Sequence, residues 1–120
     1  MNWTSAIILG AVGLLFVVTK RLSLVSAAAA RKLLQQGASI VDVRSPEEFE
    51  VGHVPGAVNI PLANLRHDLP ARFPDRAHPL LLHCLSGGRS GIARYQLRRL
   101  GYTQVFNLGS LARAQKLAPS

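Results

Sequence analysis

Between Ser26 and Lys116 short apolar runs alternate with helical patterns, and this alternation constrains the fold more than any other feature of the chain. The runs are "SIVDV" (39–43), "AVNIP" (57–61), "LLLH" (80–83) and "QVFNL" (104–108). Each has strand length, and the segments between them carry helix signals, so the natural class is α/β: an open parallel sheet of βαβ units flanked by helices. Ser26 is placed to cap a helix running to about Gln36, with Gly37 ending it. Ser45-Pro46-Glu47-Glu48 opens a short helix, because Ser caps, Pro suits the first turn and acids favour the positive end. Residues 62–72 read as one or two helical turns, followed by a stretch punctuated by Pro70, Pro74 and Pro79. A helix over 90–100 puts Ala93, Leu97 and Leu100 on one face and Arg94 and Arg98 on another, and a last helix covers 110–116. No repeat or low-complexity tract interrupts the pattern.

The N-terminus is different in kind. "WTSAIILGAVGLLFVVT", Trp3 to Thr19, carries no charge and is followed at once by Lys20-Arg21. As a helix it would extend about 25 Å, the lower edge of what a hydrocarbon core requires. Trp3 suits one interface, and Lys20 and Arg21 mark the other as cytoplasmic by the positive-inside rule. The expected arrangement is one N-terminal transmembrane helix with its basic flank over 1–21, contacting lipid through 3–19, and a cytoplasmic domain over 22–120. A cleaved signal peptide is the main rival, with "AAAA" (27–30) as a source of small residues, but the positive n-region is missing. A buried core helix would need a larger partner than about a hundred residues offer. Gly10 and Gly13 leave room for weak self-association of the helix, a signal too common to count.

The chain has 120 residues, enough for one modest domain, and a formal net charge of +8 from 14 Lys and Arg against 6 Asp and Glu. Positive charge gathers small anions and anionic lipid headgroups. No run of Lys and Arg interleaved with aromatics appears, so nucleic acid is not an expected partner.

The chemistry lies in "HCLSGGRS", His83 to Ser90. A strand ends, a turn containing Gly87-Gly88 follows, and a helix begins. Such a turn aims backbone N–H groups at its centre and, with the helix N-terminus, makes an anion-binding nest to which Arg89 adds charge and bidentate donors. A cysteine at its base is held towards thiolate, which lowers its pKa and makes it nucleophilic near neutral pH. An inert buried cysteine before an ordinary turn is the bland alternative. Tyrosine-phosphatase-type loops put five residues between Cys and Arg, whereas only Leu85, Ser86, Gly87 and Gly88 lie between Cys84 and Arg89. Cys84 is the only cysteine. The chain therefore has no internal disulfide, no resolving thiol and no Cys/His cluster with metal-ligand spacing, and neither a metal nor a cofactor is expected.

These residues carry a family resemblance. "VDVRSPEEFEVGHVPGAVNIP" (41–61) is similar to the first signature of the single-domain rhodaneses, and "CLSGGRS" (84–90) resembles their six-residue active-site loop, Cys first and Arg last. The likeness covers roughly 22–120. "NLGS" (107–110) departs from it, standing where many members have a Gly-Gly turn. The resemblance implies a sulfurtransferase working through a persulfide on Cys84, carried here on the membrane anchor expected from the N-terminal run. The donor would be a small anion such as thiosulfate, and the acceptor a thiol, cyanide or a protein. Arg89 would orient the donor, the amides of Leu85 to Gly88 would cradle the sulfur, and Ser86 and Ser90 would add hydroxyl donors. For Ser90 a helix N-cap role stands beside that one.

Asp42 and Arg44 sit where ligands gather in open α/β sheets, but in the resembling motif they look structural, pairing to fix the loop. His53, in "GHVPGA", is expected to hold a turn, His83 to be a satisfied core imidazole, and His67 and His78 to lie on the surface. Two other functions use the same features: a non-catalytic module that carries persulfide or docks a partner, and a small phosphatase or arsenate-reductase-like enzyme. The intact Cys84/Arg89 pair argues against the first and loop length against the second.

Overall fold

The computed structural model describes residues 2–22 and 24–119. Among these residues four parallel strands form one sheet in the order β2-β1-β3-β4: β1 (Ser39–Asp42), β2 (Val58–Asn59), β3 (Leu80–His83) and β4 (Val105–Gly109). Among the described residues they are accompanied by the α-helices α1 (Trp3–Leu22), α2 (Ala27–Gln35), α3 (Pro46–Val51), α4 (Leu65–Arg72), α5 (Gly88–Arg99) and α6 (Leu111–Leu117), with a 3-10 turn over Leu62–Asn64. The doubly covered sheet explains why β3 reads as an unbroken apolar run. Leu81 packs with Ala30 of α2, Ile40, Leu108 and Ala114 of α6. Leu80 and Leu82 pack with Leu65 and Leu69 of α4, Ala93 and Leu97 of α5, Val41 and Cys84. All three leucines are fully buried, each contributing about 1.5–3 kcal/mol of transfer free energy.

Local chemistry sets the helix starts. The Ser26 and Ser110 hydroxyls accept from the amides of Ala29 and Arg113. Ser45 and Glu48 form a reciprocal capping box at α3, whose first turn contains Pro46. Gly37, at φ 96°, follows the C-cap of α2 in the left-handed region that glycine adopts without strain. Before α2, Val25 N donates to Asn107 O at 2.9 Å and Leu24 bridges Asn107 in parallel, so the chain entering the domain extends the β4 edge.

Two expectations change. Helix α5 begins at Gly88 rather than Ser90, because Gly87 turns at φ 98° and becomes its N-cap. The helix over 3–22 is present, but among the described residues no helix is long and apolar enough to cross a membrane. Its apolar side chains are exposed, Ile7 65 % and Leu14 66 %, and none of its described residues belongs to either core cluster.

Candidate active site

Strand β3 delivers Cys84 to the carboxyl end of the sheet, the position where a parallel sheet presents its ligands. Cys84 N donates to Gly109 O at 3.1 Å, fixing the base of the turn on β4. The loop is also braced by α6, since Leu111 N donates to Leu85 O at 3.2 Å and Ser86 bridges Ser110. Gly87 N–H then points back at Cys84 Sγ at 3.0 Å, and Ser90 Oγ lies 3.5 Å from the same sulfur. Cys84 is only 1 % exposed.

Burial pushes the Cys84 thiol up, yet hydrogen bonds from the Ser90 hydroxyl and from the amides of Ser90, Gly87 and Ser86 outweigh it and leave the thiol below its ordinary value. The Ser90 hydroxyl and the backbone dipoles of the loop thus together favour negative charge on sulfur. With Gly87 as cap, Ser90 is the third residue of α5 and fully buried, and the expected N-cap role is overturned. Its one hydroxyl proton is shared between two acceptors: Asn107 Oδ1 at 2.7 Å and Cys84 Sγ. When the hydroxyl turns to the sulfur, Asn107 Oδ1 keeps the Gly109 N–H at 3.0 Å.

Arg89 stands in the first turn of α5, beside the sulfur and half-exposed. Its guanidinium grips Glu48 of α3 in a bidentate pair, Nη1 to Oε1 at 2.6 Å and Nη2 to Oε2 at 3.0 Å. Arg89, followed by the Ser45 amide, holds the Glu48 carboxyl at about 2, while the Glu48 carboxylate raises Arg89. The capping box that starts α3 therefore also positions the cation at the rim, because Glu48 Oε1 accepts from Ser45 N as well.

Beneath the loop, Arg44 donates to both Asp42 oxygens and, at 2.7 Å, to Gly52 O, so a buried ion pair ties β1 to the end of α3. His83 is fully buried: Nδ1 contacts Cys84 O at 3.1 Å, but Nε2 has no hydrogen-bond partner among the described residues and stands 3.6 Å from Asp42 Oδ2. The imidazole is thus not the satisfied core group expected from the sequence, and burial pushes its pKa down. His53 is exposed, stacked on Phe49 at 3.7 Å and bonded to Phe49 O at 2.8 Å. His67 is exposed beside Asp68, whereas His78, expected on the surface, is half-buried, bonded to Ser39 Oγ and stacked on Phe73. Among the described residues no group of His, Cys, Asp and Glu is placed to hold a metal.

Glu48 and Asn107 were missed as site residues. The first had a signal, the capping-box spacing from Ser45. The second had a weaker one, a polar residue within an apolar strand. Asn107 accepts from Ser90 and Gly109 and donates to Gly87 O at 3.2 Å, clamping the loop from behind.

The fold and the sequence are both similar to those of known proteins. The sequence profile of the rhodanese-like domain covers residues 26–113, and the chain belongs to that family. It is 39 % identical over 71 residues to thiosulfate sulfurtransferase PspE of Escherichia coli K12, a match covering 59 % of this chain and 68 % of PspE. It is similar to the human single-domain sulfurtransferase TSTD1, at 35 % identity and a TM-score of 0.68, covering 82 % of this chain and 98 % of that one. A rhodanese from E. coli aligns at 36 % identity and a TM-score of 0.62, covering 64 % and 91 % of the two chains. The protein is accordingly a rhodanese-like enzyme of the thiosulfate sulfurtransferase kind.

The two loop glycines differ in their demands. Gly87 turns at φ 98°, where a Cβ is strained by about 1–2 kcal/mol, whereas Gly88 is helical with open space around its Cβ position. Gly87→Ala is expected to lower sulfur transfer about tenfold or more and Gly88→Ala to change it less than about twofold. Equal effects in steady-state assays would contradict the assignment of the turn to Gly87.

Proposed function

We propose that the protein moves a sulfane sulfur from a small anionic donor, thiosulfate in the first instance, to a thiophilic acceptor through a persulfide on Cys84. The observation that carries this reading is the Gly87 N–H aimed at a 1 % exposed Cys84 Sγ at 3.0 Å. In the loading step the Cys84 thiolate attacks the outer sulfur of thiosulfate. The sulfur–sulfur bond of the donor breaks, and sulfite leaves with the electron pair. In the discharge step a thiolate or cyanide attacks the outer sulfur of the persulfide, and Cys84 returns as thiolate.

The site residues divide the work. The amides of Ser86, Gly87 and Ser90, with the Ser90 hydroxyl, favour negative charge on sulfur before and after each step. Arg89, already oriented by Glu48, offers its charge to the oxyanion end of the donor. Leu85 and Gly88 complete the ring of the loop, while Asp42 and Arg44 hold its base and His53 the turn after α3. A buried nucleophile inside a loop with four intervening residues suits a single incoming sulfur atom. An in-line phosphoryl transfer needs three equatorial oxygens cradled around the same thiolate.

Incubation of the protein with thiosulfate is expected to add one sulfur to the Cys84 peptide by mass spectrometry. Cys84→Ser should abolish both that gain and cyanide-dependent turnover. Arg89→Ala should raise the KM for thiosulfate about tenfold or more while the fold is retained. Turnover of aryl phosphates that depends on Cys84, without sulfur loading, would overturn the reading.

We further infer that α1 attaches this domain, residues 22–120, to a membrane, with the domain on the cytoplasmic side. The support is an exposed apolar helix outside both core clusters, followed in sequence by Lys20-Arg21. Residues 3–19 give about 25 Å of helix, less than a hydrocarbon core of about 30 Å, so attachment by this segment entails local thinning of the bilayer. The full chain should sediment with membranes and resist carbonate extraction, and removal of residues 1–19 should release soluble activity. Release of the full chain by carbonate, or digestion of the domain by protease added outside intact cells, would contradict this.

A further inference from the structure

We propose that the outward face of α5 is the docking surface for an acidic protein segment that presents the acceptor thiol. This deepens the sulfur-transfer reading and rests on it. Outside α1, four large apolar side chains are exposed among the described residues: Val51, Leu85, Ile92 and Tyr95. Each belongs to an element that lines the site. Leu85 follows the nucleophile, Ile92 lies three residues beyond Arg89, Tyr95 three further, and Val51 three beyond Glu48. Helical spacing places Arg89, Ile92, Tyr95 and Arg99 along one outward stripe of α5. Ile92 is 52 % and Tyr95 64 % exposed, whereas Ser90, Ala93 and Leu97 face the core.

The far end of the stripe is basic and unneutralised. Arg66 of α4 lines the same depression as Tyr95 and Arg99. Neither arginine has a carboxylate partner among the described residues, and Arg99 meets only the Tyr95 ring at 6.0 Å. Arg99 lies about 15 Å along the helix from Arg89, too far to touch a small donor or a small thiol bound at the loop. A stripe of that length guides something larger, and its composition of apolar residues, Tyr and Arg is the one enriched at protein interfaces. Glu47 and Glu50 belong to α3, the helix whose Glu48 pairs with Arg89, so charge sets the polarity: acidic side chains of the partner over Arg66 and Arg99, its thiol over Cys84.

The acceptor thiolate attacks the outer persulfide sulfur, Cys84 leaves as thiolate, and the partner carries the sulfur away as its own persulfide.

The test uses the full chain in detergent, loaded with thiosulfate, and three acceptors: a synthetic peptide with one Cys among Asp, Glu and Leu residues, its counterpart with Lys for the acids, and free cysteine. Loss of one sulfur from Cys84 is followed by mass. The acidic peptide should discharge Cys84 about tenfold faster than the basic one, with the advantage fading at high salt. Ile92→Ser with Tyr95→Ser, and separately Arg66→Glu with Arg99→Glu, should erase that advantage and leave loading and cyanide discharge unchanged. Equal discharge by the two peptides, or a preference surviving both double variants, would overturn the proposal. So would loss of self-association, or of binding to phosphatidylserine vesicles, as the only effect of those variants. Binding of a fluorescent Cys→Ser version of the acidic peptide to the unloaded protein tests the surface by itself. A failure of loading therefore counts against the sulfur-transfer reading, and a failure of peptide binding against the docking surface.

Discussion

The hydrogen bond from Gly87 N to Cys84 Sγ depends on nearly everything else in the domain. A backbone amide can point at a buried sulfur only if the chain reverses sharply after β3, and that reversal needs the left-handed Gly87 and the immediate start of α5. The strand is held in place from both faces by its leucines, and the helix by Ser90, Ala93 and Leu97 against the sheet. Packing thus fixes dipoles, and fixed dipoles stabilise charge without rearranging during a reaction.

A second layer of polar contacts keeps the loop from relaxing. Asn107 binds Ser90 and the Gly87 carbonyl from behind, and Glu48 holds Arg89 from across the mouth. Both are tied to backbone structure, Asn107 through the β4 edge and Glu48 through the capping box of α3. The site consequently has little freedom of its own: nucleophile, hydroxyl and guanidinium are each positioned by a neighbour already fixed by secondary structure.

Much of this was legible in the sequence because it rests on local chemistry. Apolar runs of strand length between capped helices defined the parallel sheet, and Ser26, Ser45 and Ser110 marked helix starts that the structure reproduces. The cysteine, the glycines and the arginine were readable because their spacing implies a turn into a helix. What escaped depends on non-local geometry. Glu48 lies 41 residues from Arg89, so no periodicity links them. Asn107 reads as an irregular strand residue until the fold brings it behind Ser90. The Ser90 cap failed because Gly87, with no side chain to signal its role, took the capping position. The apolar N-terminal run was plain as a helix, yet its relation to a bilayer is set by a surrounding the chain does not contain.

The central claim is that backbone amides and the Ser90 hydroxyl, against the cost of burial, hold Cys84 as a thiolate. Iodoacetamide alkylation of Cys84 followed against pH tests it most directly. The expected midpoint lies below that of a free thiol, about 8.5, and rises towards that value in Ser90→Ala. A midpoint at or above about 8.5 in the unaltered protein would show that desolvation wins over the loop's donors and would contradict the account.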